Sequence, residues 1–183
     1  MRDILGYIAA TVLSLVALTV VVAVTHHGIT SSRAARAWNE VQVIASAARN
    51  LYAGQTGYCG TNGAGNSYNI SMATLLNSNA IPSEMISGTN VLNPWGGTVT
   101  IAGIWNDGTQ CEGFEIFVNN IPNDACSILG TYQGDPPPAG FTAVSLWING
   151  NGWTYTNGPP DPGWVTGQCT AGSTGNSVAY GFR

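Results

Sequence analysis

The sequence predicts an α+β protein in which one long N-terminal helix packs on an antiparallel β-sheet. Two observations lead to this fold class. Residues 4–53 carry a helical pattern that is apolar all round in its first half and apolar on one face in its second half. After residue 54, short β-branched and aromatic segments alternate with Gly, Asn, Asp and Pro clusters, which is typical of antiparallel strands joined by turns.

The first segment, Ile4–Val24, is long and apolar enough to cross a membrane. It runs for 21 residues without a charged side chain, and a helix of that length spans about 31 Å, the thickness of a bilayer core. A cleaved signal peptide usually has a shorter apolar core and a small-residue cleavage site, whereas Thr25, His26 and His27 follow here. We therefore expect residues 1–28 to be a retained membrane helix.

The helical pattern continues over residues 29–53, but only one face is apolar. The apolar positions recur at steps of three and four residues: Trp38, Val41, Ala45, Ala48 and Tyr52. Gly54 is a stop signal, and Gly28 predicts a kink or a melted turn. We expect a globular head over residues 29–183 that includes this half of the helix. The apolar face of the helix should pack on the rest of the head.

The strands of the head are predicted from five segments, "GTVTIAGIW", "GFEIFVN", "AVSLWIN", "WTYT" and "SVAYGF". A minor helix is predicted at "MATLLNSNAIP", and a helical turn at "PNDACSIL" with Pro122 early in it. The segments "GDPPPAG" and "NGPPDPG" are predicted to be turns or exposed loops.

Charge is sparse, and this argues against a nucleic-acid partner. Charged residues make up 8% of the chain, there is no Lys, and the net charge is −4, whereas phosphate binding needs clustered basic residues. A polar, nearly uncharged surface suits a protein that packs against copies of itself, and it equally suits a secreted Gly-rich protein.

Four cysteines indicate two disulfides outside the cytoplasm. Cys59, Cys111, Cys126 and Cys169 form no CxxC pair, so a zinc site is not expected. An even number of widely spaced cysteines after an export-type segment is typical of disulfides. Four cysteines allow three pairings.

No cluster predicts catalysis or a metal site. Asp107, Glu112 and Glu115 lie close together, but a calcium loop needs more oxygen ligands at alternating positions, and no nucleophile or positioned base lies near them. We read His26 and His27 as residues of the membrane interface. We therefore expect no enzyme activity, catalytic residue, cofactor or metal.

Aromatic residues near the predicted turns have two interpretations. Trp147, Trp153, Tyr155 and Trp164 could stack on sugar rings, or they could fill contacts between subunits, where Trp and Tyr are enriched. The sequence favours subunit contacts.

The chain resembles the type IV pilins, and specifically the type IVb group. An apolar helix runs directly into the amphipathic helix, and "WNEVQVIASAARNLYAGQTGY" resembles the helix-to-loop passage of these pilins. "VLNPWGGTVTI" resembles their entry into the sheet, and "IPNDAC", "GQC" and "SVAYGFR" resemble their C-terminal disulfide-bounded region. The resemblance implies the pilin fold and the pairing of Cys126 with Cys169, which leaves Cys59 with Cys111.

The resemblance also implies a role in assembly for the start of the chain. These pilins usually have a glutamate near the start of the apolar helix, and Asp3 lies about where that glutamate belongs. A carboxylate beside hydrocarbon is costly unless it is paired, so Asp3 is expected to pair with Arg2 or with the α-amino group of a neighbouring chain. We expect Met1 to be the processed, N-methylated first residue, with Gly6 before Tyr7 as an alternative cleavage point.

The function that the resemblance implies is a structural subunit, the major pilin, of an extracellular filament. The expected partners are other copies of the chain, an inner-membrane assembly machine with its ATPase, and the membrane before assembly. The expected location is a surface pilus, with an inner-membrane anchor before assembly. The alternatives are a minor pilin or tip adhesin that binds a surface or glycan, and a pseudopilin of a secretion system. A tethered hydrolase is disfavoured because catalytic groups are missing.

Overall fold

A computed structural model describes residues 2–55, 57–61, 67–105, 111–131, 143–155, 158–170, 172 and 175–183. For residues 2–24, 26–27, 61, 67, 105 and 143 it describes the backbone alone. The chain divides into two compact units, Met1–Ser32 and Arg33–Arg183, and each is described by itself. We call the second unit the globular unit.

Helix α1 runs from Arg2 to Tyr52. Its backbone is helical through Gly28, so the melted turn considered at that position is wrong. Among the residues whose side chains are described, no helix is long and apolar enough to span a membrane. The predicted membrane segment, Ile4–Val24, lies outside those residues.

The globular unit contains a seven-stranded antiparallel sheet in the order β3-β4-β5-β6-β9-β7-β8. The last strand of the chain, β9, therefore lies between β6 and β7 at the centre. A separate two-stranded ribbon joins β1 and β2. The strands are β1 Cys59–Thr61, β2 Ser67–Asn69, β3 Ile86–Ser87, β4 Asn90–Leu92, β5 Thr98–Trp105, β6 Cys111–Ile121, β7 Ala143–Ile148, β8 Asn151–Thr154 and β9 Asn176–Phe182.

In the part of the chain that the structure describes, three shorter α-helices and one 3-10 helix accompany the sheet. They are α2 Met72–Asn77, the 3-10 helix Ser83–Met85, α3 Asn123–Thr131 and α4 Pro162–Gln168. Helix α2 begins with a Ser71 side chain that accepts a hydrogen bond from the Thr74 amide, which satisfies one of the free amides of the first turn. Helix α3 confirms the helical turn that is predicted at "PNDACSIL".

The core lies between the second half of α1 and one face of the sheet. The α1 side of the core consists mainly of small residues, with Ile44, Val41 and Trp38 as the larger members. The edge of the Trp38 ring meets the Tyr180 ring, with centroids 4.8 Å apart. Tyr180 is fully buried, and its hydroxyl donates to the Leu129 carbonyl at 2.9 Å. The predicted docking face of the helix is therefore the buried one.

The structure differs from the sequence prediction in one irregular segment and in four short strands. The segment "NGPPDPG" is predicted to be a turn or exposed loop, but α4 begins at its end because Asp161 caps the helix through the Trp164 amide and Pro162 occupies its first turn. Short strands β1 to β4 were not predicted, because strands of two or three residues are too short to show an alternating pattern.

Candidate functional site

The predicted assembly residues lie at the start of the chain. Met1 lies outside the described residues, and Arg2 and Asp3 are described as helical backbone only. Their pairing stays a prediction. His26, His27 and Asp107 also lie outside the side chains that the structure describes.

The four cysteines form two disulfides, Cys59–Cys111 and Cys126–Cys169. These are the pairs that the family resemblance implies. The first disulfide joins β1 to β6, where the Tyr58 amide also donates to the Cys111 carbonyl at 2.8 Å. Residues 58 and 59, a few positions after the end of α1, are thereby held against a central strand of the sheet.

The second disulfide holds two helices together on the C-terminal side of the sheet. Cys126 lies in α3 and Cys169 caps α4. Gly130 of α3 lies directly against α4, since a Cβ at this position would fall 2.5 Å from Cγ1 of Val165. The disulfide and this close approach hold α3 against α4.

Asparagine side chains fix the ends of the same strands. Asn176, which is fully buried, donates to the Ile121 carbonyl at 3.0 Å and to the Asn123 side chain at 2.8 Å, and it accepts from Asn149. Asn149 in turn accepts from the Ser177 amide at 2.9 Å. A buried polar group of this kind stabilises a fold only when its hydrogen bonds are made.

The "VLNPWGG" segment is a turn built around one buried side chain. Asn93 accepts from the Trp95 and Gly97 amides at 2.9 and 3.1 Å, and it donates to the Asn119 carbonyl at 2.6 Å. Gly97 has no room for a Cβ because the Asn119 carbonyl lies there. This motif of the resemblance therefore has a structural role at the entry to β5.

One side of α1 in the globular unit faces solvent. Val43 and Leu51, each 39% exposed, lie eight residues apart on it. That spacing puts them on the same side of the helix. Arg36 and Asn39 are also exposed there. We call this side the helix face.

A carboxylate is buried next to the helix face. Glu40 accepts a hydrogen bond from Arg36 Nε at 2.9 Å, but its Oε2 is buried without a hydrogen-bond partner among the described residues. Burial raises the pKa of Glu40, and the neighbouring Arg36 opposes this rise.

The sheet has a second, outer face that α1 does not cover. On this face, five residues lie side by side across the neighbouring strands β5, β6, β9, β7 and β8. In that order they are Thr100, Phe117, Ala179, Trp147 and Gly152. Next to this row, Glu115 pairs with Gly181. A hollow of about 300 Å³, which we call the outer groove, is lined by Glu115, Phe117, Trp147, Gly150, Ser177 and Ala179.

Trp147 is the exposed aromatic residue of the outer groove. It is 39% exposed, and its side chain lies beside Glu115 in the lining of the groove. Burial raises the pKa of Glu115, while the neighbouring Trp147 side chain opposes the rise. The other three aromatics that the sequence grouped with Trp147 behave differently: Trp153, Tyr155 and Trp164 are half-buried against the core.

The difference among these aromatics arises from α4 and the turn that precedes it. Trp153 donates to the Gly158 carbonyl at 3.0 Å, and its ring packs at a tilt of 49° against Trp164 of α4, with centroids 5.3 Å apart. Burial raises the pKa of Tyr155 to about 12. Because α4 was not predicted, these residues were read as exposed.

Comparison with known proteins gives the following matches. The model of the PilS N-terminal family matches residues 31–181, and ten chains of solved structures match. The type IVb pilin from Salmonella typhi is 25% identical with a TM-score of 0.59, over 81% of this chain and 99% of that chain. TcpA, a type IV pilin from Vibrio cholerae El Tor biotype, is 18% identical with a TM-score of 0.49, over 84% and 99%; no argument rests on it. No curated protein sequence matches the chain.

The residues matched by the family model, 31–181, include nearly all of the globular unit, together with the part of α1 that packs on the sheet. The Salmonella typhi structure spans the same architecture, a long N-terminal helix packed on a large antiparallel sheet. The predicted fold class is therefore confirmed, and so is the resemblance on which much of the sequence analysis depends. The chain belongs to the PilS N-terminal family and is a type IVb pilin.

Proposed function

We propose that the chain is the major structural subunit of an extracellular type IV pilus-like filament. The observation that supports this most is the helix face. Val43 and Leu51 are large apolar side chains left exposed on the part of α1 that packs on the sheet, and this is the kind of surface that a contact with another copy covers. The low charge of the chain means that stacked copies repel one another little.

Residues 1–28 form the filament core in this proposal, and residues 29–183 form the disulfide-linked head. Before assembly, the apolar segment anchors the chain in the inner membrane. An assembly machine with an ATPase then moves the subunit into the fibre. A contact between different surfaces of successive copies produces a fibre rather than a ring when the rotation from one copy to the next does not close, and we propose a contact of this non-closing kind.

The direct test is the composition of surface fibres. Fibres sheared from cells that express the chain are imaged by electron microscopy, and their main protein band is identified by mass spectrometry, including its N-terminus. A major pilin is the main band and begins with an N-methylated residue. If the chain occurs only in traces beside another main band, it is a minor or tip subunit and the proposal fails.

A pair of charge insertions tests the helix face itself. Val43→Asp places an unpaired carboxylate in the proposed contact, so we expect fibre yield to fall at least about tenfold, because a desolvated unpaired charge costs several kcal/mol. Thr100→Asp is the matched control, since Thr100 is exposed on the outer sheet face. Equal fibre yields from the two variants would show that the helix face is not a contact.

Asp3 is proposed to set the axial register by pairing with Arg2 or with a neighbouring Met1 amino group. We expect Asp3→Val to remain folded and membrane-inserted but to form few fibres. Asp3→Glu keeps the charge and is expected to restore them. Normal fibre yield from Asp3→Val would reduce Asp3 to a residue that flanks a membrane helix.

A further inference from the structure

The outer groove contains an aromatic ring that is held in place but left open. The six-membered part of the Trp147 indole lies directly over Gly152, where a Cβ would fall 2.7 Å from Cζ3 and 2.9 Å from Cε3. The side chain of Glu115 lines the groove beside the indole. The close packing over Gly152 restricts the ring, yet 39% of the residue stays exposed. A large aromatic surface is therefore preorganised without serving the core.

The groove has the shape and chemistry of a small polar-ligand site rather than a purely apolar one. It is a concave hollow of about 300 Å³ between the aromatic residues Phe117 and Trp147, with the small residue Ala179 at its centre. Such a size lies at the lower end of ligand sites, which are mostly apolar with a few well-placed polar groups. Here those polar groups are the Glu115 carboxylate and the Ser177 hydroxyl.

The charge of the lining restricts the ligand. None of the described residues that line the groove is basic, so an anionic ligand would meet Glu115 without a compensating cation. A carboxylate can accept about four hydrogen bonds, so Glu115 can accept from several hydroxyl donors of a ligand.

We propose that the outer groove binds a neutral hexose unit of a glycan. The C–H face of the sugar ring stacks on the Trp147 indole, and sugar hydroxyls donate hydrogen bonds to Glu115 and to the Ser177 oxygen. Ser177 serves as an acceptor because its own hydroxyl donates to the Asn119 side chain at 2.9 Å. A sugar matches both the aromatic and the polar residues of the groove, because it has an apolar face that can stack on Trp147 and hydroxyl groups that can hydrogen-bond to Glu115 and Ser177.

A side chain from a second copy fits the groove less well. An apolar side chain would strip water from Glu115 without replacing its hydrogen bonds, and this desolvation is costly. The chain has no Lys and only five Arg, so cationic partners for Glu115 from another copy are scarce. The sequence favoured subunit contacts for Trp147, but the position of Glu115 beside the ring could not be seen there.

The test uses the full-length chain, purified in lauryldimethylamine oxide because this detergent has no sugar headgroup. Binding is measured on an immobilised panel of neutral hexose-terminated glycans, including lactose and maltose, beside sialylated and sulphated glycans. We expect binding to neutral members of the panel. Trp147→Ala should weaken it at least about tenfold, whereas Trp147→Phe should retain a stacking surface and lose less.

Two further variants separate a binding role from a structural one. Gly152→Ala displaces the indole without removing it and should weaken binding severalfold. Ile29→Ala removes an exposed apolar side chain outside both the groove and the helix face and should bind as the unmodified chain does. Intact disulfides and unchanged thermal unfolding establish that each variant is folded.

Two results would overturn the proposal. One is the absence of binding to every neutral glycan on the panel. The other is equal binding by the unmodified chain and Trp147→Ala. If Trp147→Ala instead stops fibre formation while glycan binding is unaffected, the groove is a contact between copies. Because the assay uses unassembled protein, its outcome does not depend on whether the chain is a major or a minor pilin.

Discussion

The two faces of the central strands use the same backbone for different purposes. On the inner face, Phe114, Ile116 and Tyr180 are completely buried against α1 and its neighbours. On the outer face, the alternate residues Glu115, Phe117 and Ala179 border an open groove. Successive side chains of a strand point to opposite faces, so a single stretch of sequence specifies both the core and a solvent-facing surface.

The comparison of the two faces shows where the choice of side chain is limited by core packing and where it is limited by the shape of the outer groove. Inner residues are large and interlocked, as the stacked pair Phe114 and Phe182 shows with centroids 5.4 Å apart. Several outer positions are small, including Gly152 beneath the Trp147 ring. We therefore expect inner substitutions to change stability and outer substitutions to change recognition.

The largest effect is expected from a pair of aromatic truncations on opposite faces. Tyr180→Ala removes a buried ring and its hydrogen bond to Leu129, so it should lower the free energy of unfolding by about 3–5 kcal/mol. Trp147→Ala should cost less than about 1 kcal/mol because the residue is exposed. Urea denaturation of the full chain in detergent measures the free energy of unfolding of both variants. Equal losses would contradict the division between the two faces.

The next effect concerns the C-terminal disulfide, which encloses the connections around β7 and β8. Replacing Cys126 and Cys169 together by Ser frees a loop of 43 residues, and the chain-entropy model puts the loss at about 4 kcal/mol. The same replacement of Cys59 and Cys111, whose separation is 52 residues, is the matched comparison. If the first pair could be removed with no change in the denaturation midpoint, the disulfide would not be needed to hold this region.

A smaller effect is expected where α3 and α4 cover the inner face. Gly130→Ala introduces a methyl group 2.5 Å from Val165 and 2.8 Å from Ile148, so it should destabilise the fold by about 1–3 kcal/mol. Gly167→Ala is the control, because a Cβ on Gly167 has no close neighbour among the described atoms. Equal thermal unfolding of the two variants would mean that α3 and α4 can separate without cost.

The smallest effect is a pH dependence from Glu40. Its pKa is raised above the ordinary value of 4.5 in the folded chain, so the folded state binds more protons in that window. This contribution to stability falls as pH rises from about 4.5 through the raised pKa. Glu40→Gln should flatten the curve, with the difference in melting temperature small at pH 4 and larger at pH 7.

The control for this prediction is Glu84→Gln, because Glu84 is exposed. That variant should keep the slope of the unmodified chain. If Glu40→Gln and the unmodified chain gave parallel curves between pH 4 and pH 7, burial of Glu40 would not contribute to the pH dependence.

The sequence predicts the long elements well because their patterns repeat. The one-sided apolar pattern around Trp38, Val41 and Ala45 identified the buried face of α1, and the five longest strands of the sheet all overlap predicted segments. Short elements could not be predicted in the same way, because they are too short for a pattern to repeat. Helix α4, for example, begins with the capping residue Asp161 and with Pro162, within a segment whose composition predicts a loop.

The outer groove could be predicted only in part. Trp147 stood out as an aromatic residue near a turn, but its neighbours come from separate strands that only tertiary pairing brings together, such as Ala179 and Gly152. The cysteine pairs followed from the family resemblance and not from their spacing, which left three pairings open. Long-range pairing is the information that local patterns lack.

The most direct test of the account is the structure of an assembled fibre by cryo-electron microscopy. We expect Val43 and Leu51 on the helix face to be covered by a neighbouring copy, and Trp147 and Glu115 in the outer groove to remain open at the fibre surface. A fibre in which the outer groove is buried between copies while the helix face stays exposed would contradict the account.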